Sequence, residues 1–414
     1  MKVYIETYGC SANKSDSEIM AGILLEKGYE IVFDENQADL IILNTCGVKK
    51  QTEDRILRRL QDLSKTGKKV IVAGCLTKID LEKIKSKTPN FHALLDPYSI
   101  DKIGIAIQKG GTIFSEKPPE KTLLPKYSFN KVISIVQILE GCLSACTFCA
   151  TKFARGRARS FRPSTILNSI KDSVAKGYKE IWLTSQDNSC YGKDINTNLA
   201  ELMNGISKIK GKFWVRVGMM NPLHIRPFLD DLIEAYKSDK FFKFLHLPVQ
   251  SGSDEVLRHM RRGYKVDDFL FYVNRFREEI PEITISTDII VGYPTEREKD
   301  FRDTIKLLKK VKPDVVNLSR FTPRKGTRAS ELKQLDPGIV NKRSEQVHKI
   351  MRKILEKKNK KWVGWKGEAL IDEKVKGITT ARNIFYKPII VSGSLGDFIQ
   401  VEITKSFANY FIGK

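Results

Sequence analysis

Apolar and polar residues recur with two different periods along this chain, and the switches between them mark out its elements. In the first hundred residues, short apolar runs, KVYIETYG (2–9), DLIILNT (39–45) and KKVIVAG (68–74), alternate with charged stretches of helical spacing. One of these is SDSEIMAGILLEKG, where Ser15 and Glu18 fit a capping box; another is TEDRILRRLQDL. Alternation of this kind predicts an open α/β domain with a parallel sheet over residues 1–115. Residues 116–130 are rich in Pro and Lys and aperiodic, which predicts a linker. Six further apolar runs follow, VISIVQIL (132–139), EIWLTS (180–185), FWVRVG (213–218), FKFLHLP (242–248), ITISTDII (283–290) and DVVNLSR (314–320). Each precedes a helical or loop stretch, so residues 131–340 predict an incomplete (β/α)6 barrel. A basic connecting helix is expected over 341–356, within a stretch (341–361) that carries nine basic and two acidic residues. Residues 357–414 hold short β-prone pieces between Gly turns, which predicts a small antiparallel β-barrel that folds as a separate unit.

Composition narrows the function. The 414 residues are 41% hydrophobic, enough for about two to three domains at ~150 residues each. Lys+Arg outnumber Asp+Glu by 72 to 49, a net charge of +23, which favours a polyanion such as nucleic acid. The start, MKVYIETYGC, carries Glu6 and no apolar core, so it does not read as a secretory signal. No apolar run is long enough for a membrane span, and none is expected. Seven cysteines in such a chain read as thiols kept reduced for metal or catalysis, which points to the cytoplasm.

Six of those cysteines form two sets. EGCLSACTFCA places Cys142, Cys146 and Cys149 just after the first barrel strand, at the end where such barrels gather functional groups. Three thiolates would leave one iron of a cubane cluster without a protein ligand, unlike the four-cysteine set of an electron-transfer cluster. A structural zinc site would want a fourth Cys or His within knuckle spacing, and neither follows nearby. Cys10, Cys46 and Cys75 each follow a predicted parallel strand of the first domain, so all three can meet at one edge of its sheet. Singly, each would read as a small buried hydrophobe; three at equivalent positions read as a second site. Cys190 has no partner of this kind and reads as incidental.

On these motifs the sequence resembles the radical-SAM methylthiotransferases, over nearly its whole length. TYGCSANKSDSE, LNTCGVK and AGCL are similar to the family's N-terminal cluster motifs, and EGCLSACTFCATKFARGRARSFRP to its radical-SAM loop. HLPVQSGSDEVLRHMRRGY, STDIIVGYPTE and FTPRKGT are similar to its later segments, and the basic C-terminal barrel to its TRAM (OB-like) RNA-binding domain. Tyr293, Thr295 and Lys325 depart from the usual Phe, Gly and Pro. The N-terminal wording is nearest the archaeal and eukaryotic branch, which acts on N6-threonylcarbamoyladenosine next to the anticodon of transfer RNA.

The resemblance implies two 4Fe-4S clusters and S-adenosylmethionine: one cluster on Cys142, Cys146 and Cys149, the other on Cys10, Cys46 and Cys75. It also implies an outside electron donor, a sulfur source, and transfer RNA, met at its anticodon stem-loop, as partners. Candidates for holding S-adenosylmethionine are Phe148, Gln186, Arg216, Gln250 and Ser251, while His246 reads as a satisfied polar residue beneath the site. Candidates for RNA contact are Arg155, Arg157, Arg159 and Arg162, with Arg382, Phe385, Tyr386 and Lys387 in the last barrel. Arg155 and Arg157 are also the candidate cations for the substrate's carboxylate. The alternatives are a methylthiotransferase of isopentenyl-adenosine or of a ribosomal protein aspartate, and a non-catalytic iron–sulfur RNA-binding protein.

Overall fold

A computed structural model describes all 414 residues. Strands β1 (Lys2–Thr7), β2 (Glu30–Val32), β3 (Leu40–Thr45), β4 (Lys69–Gly74), β5 (Ala93–Leu95) and β6 (Gly111–Ile113) form one parallel sheet, ordered β2-β1-β3-β4-β5-β6. Its central strands must be apolar on both faces because helices cover both. Leu40, Ile42 and Ile71 pack on one side under helix Ser11–Glu26, while Ile41, Leu43, Val70 and Val72 pack on the other under helix Lys50–Leu63. The three-residue strands β2, β5 and β6 are too short to show a period, and they escape a reading of the sequence.

All six barrel strands form where the pattern places them: β7 (Ile133–Gln137), β10 (Glu180–Thr184), β11 (Trp214–Val217), β12 (Phe244–His246), β13 (Thr284–Val291) and β14 (Val315–Arg320). A short hairpin of β8 (Leu139–Glu140) and β9 (Arg159–Ser160) flanks the cysteine loop. Sheets β11-β10-β7 and β12-β13-β14 join through a parallel bridge between Val215 and Phe241, so the six strands make one open wall. Ile181, Leu183, Val215, Val217, Leu245 and Ile289 face the surrounding helices. Residues of the opposite parity, including Gln137, Trp182, Arg216, His246 and Asp288, therefore face the lumen.

Helix Pro337–Asn359 ends later than 341–356 and begins earlier, where Asp336 caps it by accepting from Gly338 N (2.8 Å) and Ile339 N (3.2 Å). Strands β15 (Lys366–Val375), β16 (Ile378–Asn383), β17 (Pro388–Ile390), β18 (Phe398–Ser406) and β19 (Phe411–Gly413) then close a barrel, ordered β15-β16-β17-β19-β18. Four pairings are antiparallel and β17–β19 is parallel. This small barrel is not detached. It plugs the floor of the larger one, at the amino ends of its strands: Lys243 N donates to Ile384 O (2.7 Å) and Thr284 Oγ1 to Phe385 O (2.6 Å). Tyr386 packs on Phe242 and Phe244, each at 4.8 Å between centroids, and Phe398 on Trp214 at 5.0 Å. No helix is long and apolar enough to cross a membrane.

Candidate functional site

Cys10, Cys46 and Cys75 stand at the carboxyl ends of β1, β3 and β4, neighbours in the sheet. Cys10 opens helix Ser11–Glu26, and one turn later Asn13 stitches the edge together. Its Nδ2 donates to Tyr8 O (3.0 Å) and Thr45 O (2.7 Å), while its Oδ1 lies 3.9 Å from Cys10 Sγ and 3.6 Å from Cys75 Sγ. Gly9, at φ +114°, admits the close approach: a Cβ there would lie 2.6 Å from Cys46 Cβ. Val48 N donates to Cys46 Sγ (3.4 Å). Burial pushes the Cys75 thiol up to about 12, with Cys10 and Cys46 pushing the same way against Arg155; burial and then Cys10 raise Cys46 likewise. Three bare thiolates would repel one another here, so the set suits a cationic centre.

The second group of thiols lies in the loop between β8 and β9. Gly141, at φ +85°, turns the chain where a Cβ would strike Arg157 O at 2.4 Å, and its N–H donates to Gln186 Oε1 (2.6 Å). Cys146 Sγ accepts from Arg262 Nη1 (3.0 Å); that guanidinium is buried and also holds Tyr264, Asn221 and Pro248 O. Thr147 ties the loop to His259 O (3.0 Å) and Tyr293 OH (2.8 Å). Cys142 Sγ accepts from Ser144 N (3.3 Å), and the Cys190 thiol beside it is the chief cause that holds its pKa below the usual thiol range. Cys190 is buried beside Cys142, and its thiol donates to Asp187 Oδ2 (3.2 Å). Three cysteines at each edge, with N–H donors to sulfurs of both sets and the Asp187 carboxylate 4.0 Å from Cys142 Sγ, fit a 4Fe-4S cluster at either site.

The remaining candidates scatter. Phe148 packs beside Val256, Met260 and Tyr293. Gln186 supports the cysteine loop. Gln250 adopts φ +74° at the end of β12, with its N–H on Asp288 O (2.8 Å). Ser251 is fully buried with its Oγ 3.4 Å from Thr304 Oγ1, so it faces helix Glu298–Val311 rather than the lumen, a correction. Arg216 lies in the lumen among Trp182 (5.1 Å), Phe244 (5.1 Å) and Tyr386 (5.5 Å), with a buried Nε that has no partner. Nearby, Asp288 accepts from Asn317 Nδ2 (2.8 Å) and meets His246 Nε2 (2.8 Å).

The basic residues divide sharply. Arg157, Arg159 and Arg162 are exposed and make no side-chain hydrogen bond or ion pair. Arg155 is 1% exposed and each of its three guanidinium nitrogens meets a partner inside the protein, so it does not reach a phosphate or a substrate carboxylate. In the last barrel Tyr386 and Lys387 are likewise corrected, because they form its contact with the barrel floor, while Arg382 and Phe385 are engaged within the small barrel itself. Arg382 bonds Asp372 (2.7 Å), Tyr386 packs under the lumen, Lys387 bonds Asp314 (2.7 Å), and Phe385 lies against Trp362 (5.2 Å). Sequence reading also missed Asn13, Asp16, Lys121, Glu140 and Arg262, whose roles depend on partners far away in the chain.

An open six-stranded barrel with a three-cysteine loop at its carboxyl rim is the fold of a radical-SAM protein. The Radical SAM superfamily model matches residues 136–308, and the model of uncharacterized protein family UPF0004 matches residues 2–96. The radical S-adenosylmethionine methyltransferase TsrM from Kitasatospora setae shares the fold, with a TM-score of 0.58 over 80% of this chain and 75% of that one, at 12% identity. The chain is 44% identical to a Pyrococcus abyssi protein named probable threonylcarbamoyladenosine tRNA methylthiotransferase, across 100% of this chain and 99% of the relative. It is 33% identical to the Homo sapiens threonylcarbamoyladenosine tRNA methylthiotransferase, across 100% of this chain and 74% of the relative. The chain belongs to the family of threonylcarbamoyladenosine tRNA methylthiotransferases.

Proposed function

We propose that this protein converts N6-threonylcarbamoyladenosine, next to the anticodon of transfer RNA, to its 2-methylthio derivative by radical S-adenosylmethionine chemistry. The observation that carries the reading is the pair of complete three-cysteine sites, one in each of two domains packed against each other. When bound, the cluster on Cys142, Cys146 and Cys149 would pass on the electron that splits S-adenosylmethionine, and that on Cys10, Cys46 and Cys75 would present or donate the sulfur.

The chain's own part is to hold, aim and shield. Gln186 holds the loop of the first set through Gly141 and Arg262 holds the Cys146 sulfur; Asn13 and the Val48 N–H hold sulfurs of the second. The lumen, lined by Arg216, His246, Asp288 and Gln137, is the space for S-adenosylmethionine and the target base. Exposed Arg157, Arg159 and Arg162, beside the first site, are placed for the phosphates of the anticodon stem-loop, with Arg157 the remaining candidate for the threonylcarbamoyl carboxylate. The last barrel would serve as a TRAM-type RNA-binding domain through its outer face, where Phe407 and Tyr410, 40% and 38% exposed, stack at 4.6 Å. The electron donor and sulfur source come from outside, and the compartment is the cytoplasm.

Anaerobically reconstituted protein should hold about eight irons, two cubanes' worth. Replacing Cys142, Cys146 and Cys149 by Ala should leave one cluster and abolish cleavage of S-adenosylmethionine. Replacing Cys10, Cys46 and Cys75 should leave cleavage but stop sulfur insertion. Zinc in either site after anaerobic purification from iron-fed cells would contradict the reading.

A further inference from the structure

We propose that Arg155 is a positioning residue that locks the two cysteine sites to one another and hydrogen-bonds the sulfur of Cys75, tuning the second cluster; this rests on the two-cluster reading above. Arg155 stands six residues beyond Cys149, at the end of helix Thr151–Arg155 in the radical-SAM loop. Its guanidinium crosses into the first domain. There Nε donates to Cys75 Sγ (3.2 Å) and Nη2 to Asn13 Oδ1 (2.8 Å), the same Asn13 that lies between Cys10 and Cys75. Nη2 also pairs with Asp16 Oδ2 (2.8 Å), and Nη1 donates to Glu140 Oε1 (2.8 Å) on β8.

A second cation closes the ring. Lys121, in the segment between the domains, places Nζ 2.7 Å from Asp16 Oδ1 and 2.7 Å from Glu140 Oε2. Two cations and two carboxylates thus balance, each side chain no more than 1% exposed, and they come from the first domain, the connecting segment and the barrel. The backbone is held across the same seam, since Tyr98 OH donates to Arg155 O (2.6 Å). Gly156, at φ +65°, leaves room for that hydroxyl: a Cβ there would meet it at 2.2 Å.

Stability alone does not account for such a cluster. Burying four charges costs desolvation that their attraction only offsets, and apolar residues of the same volume would hold two domains together as well. What a forked guanidinium adds is geometry, because its donors point at fixed angles to Cys75, Asn13 and Glu140 at once, with the Asp16 carboxylate paired alongside. It therefore admits one registration of the radical-SAM loop against the sulfur-bearing edge. The N–H donated to Cys75, with the positive charge behind it, also favours the more electron-rich state of anything that sulfur ligates, which raises its reduction potential.

The test uses the full chain with Arg155→Lys and Arg155→Gln, anaerobically reconstituted, each also made without Cys142, Cys146 and Cys149 so that only the second site gives a signal. In an EPR-monitored redox titration, the second cluster's potential should move negative from wild type to Arg155→Lys and further to Arg155→Gln. In the enzyme with both sites, the S-adenosylmethionine consumed per methylthio group formed should rise by about tenfold, as misplacement of reacting groups predicts. Lys keeps the charge without the fork, so it should spoil coupling more than it shifts potential. An unmoved potential and an unchanged coupling ratio in both variants, with about eight irons retained, would overturn the inference. Wild-type protein holding only about four irons would instead overturn the two-cluster reading beneath it.

Discussion

Removing Arg157, Arg159 or Arg162 should weaken RNA binding in a way that removing Arg155 does not. Each exposed arginine that neutralises a phosphate releases a counterion, so its loss to Ala should reduce the slope of log affinity against log salt by about 0.7–0.9. Arg155→Lys should leave that slope alone. Filter binding of transfer RNA across a salt series reads both, and an equal slope change for all four would mean that Arg155 reaches RNA after all. These residues also mark where the sequence stops being legible. KFARGRARSFR presents its basic residues alike, and only the fold reveals that Arg155 turns inward to Asp16 and Glu140, residues 139 and 15 positions away. The two cysteine sets were grouped for the opposite reason. Cys10, Cys46 and Cys75 each follow a strand of one sheet, and Cys142, Cys146 and Cys149 share one loop, so local pattern alone carries each set together.

At the scale of elements, the junction between the two barrels carries its own titration. Glu180, at the start of β10, is fully buried against Asp372 of β15. Burial, reinforced by Asp372, raises it to about 8; burial raises Asp372 as well, against the Arg382 guanidinium 2.7 Å away. Glu180 therefore carries the proton near neutrality. Because its folded value lies above its unfolded one, its contribution is complete below the ordinary carboxylate range and fades as pH rises from about 5 to about 8. Thermal unfolding should lose stability over that window, and Glu180→Gln, which keeps the neutral hydrogen-bonding shape, should flatten the loss. A variant as pH-sensitive as wild type would reject this account. The same junction explains why Arg382, Tyr386 and Lys387 read as RNA contacts: cations interleaved with aromatics suit stacked bases and suit a protein floor equally well. The long apolar runs of β3, β4 and β13 were plain in the sequence. The three-residue β2, β5 and β6 have no period to read, and their place is set by the neighbours they extend.

Across the whole molecule, three units act as one body, with the second cysteine site above the barrel and the small barrel below it. Besides the cluster at Arg155, Arg324 of the FTPRKGT segment pairs with buried Glu53 of the first domain, and Lys325 reaches Glu82 at 2.7 Å. Lys325 thus adds a tie between the domains. The small barrel was expected to fold apart, but ending the chain at Asn359 would bare Trp214, Phe242 and Phe244. Such a truncation should lower the melting temperature of the radical-SAM barrel itself; an unchanged melt would show the floor to be dispensable. The net charge of +23 fits a polyanionic substrate at this scale, though the particular cations that meet it emerge only from the fold. The most direct test combines reconstituted protein, S-adenosylmethionine, a reductant, a sulfide source and transfer RNA that carries N6-threonylcarbamoyladenosine, followed by nucleoside mass spectrometry. Appearance of 2-methylthio-N6-threonylcarbamoyladenosine, with little product from RNA lacking the threonylcarbamoyl group or bearing isopentenyl-adenosine, is the predicted result. Equal reaction with RNA that lacks the group, or no methylthio product from a protein holding both clusters, would contradict it.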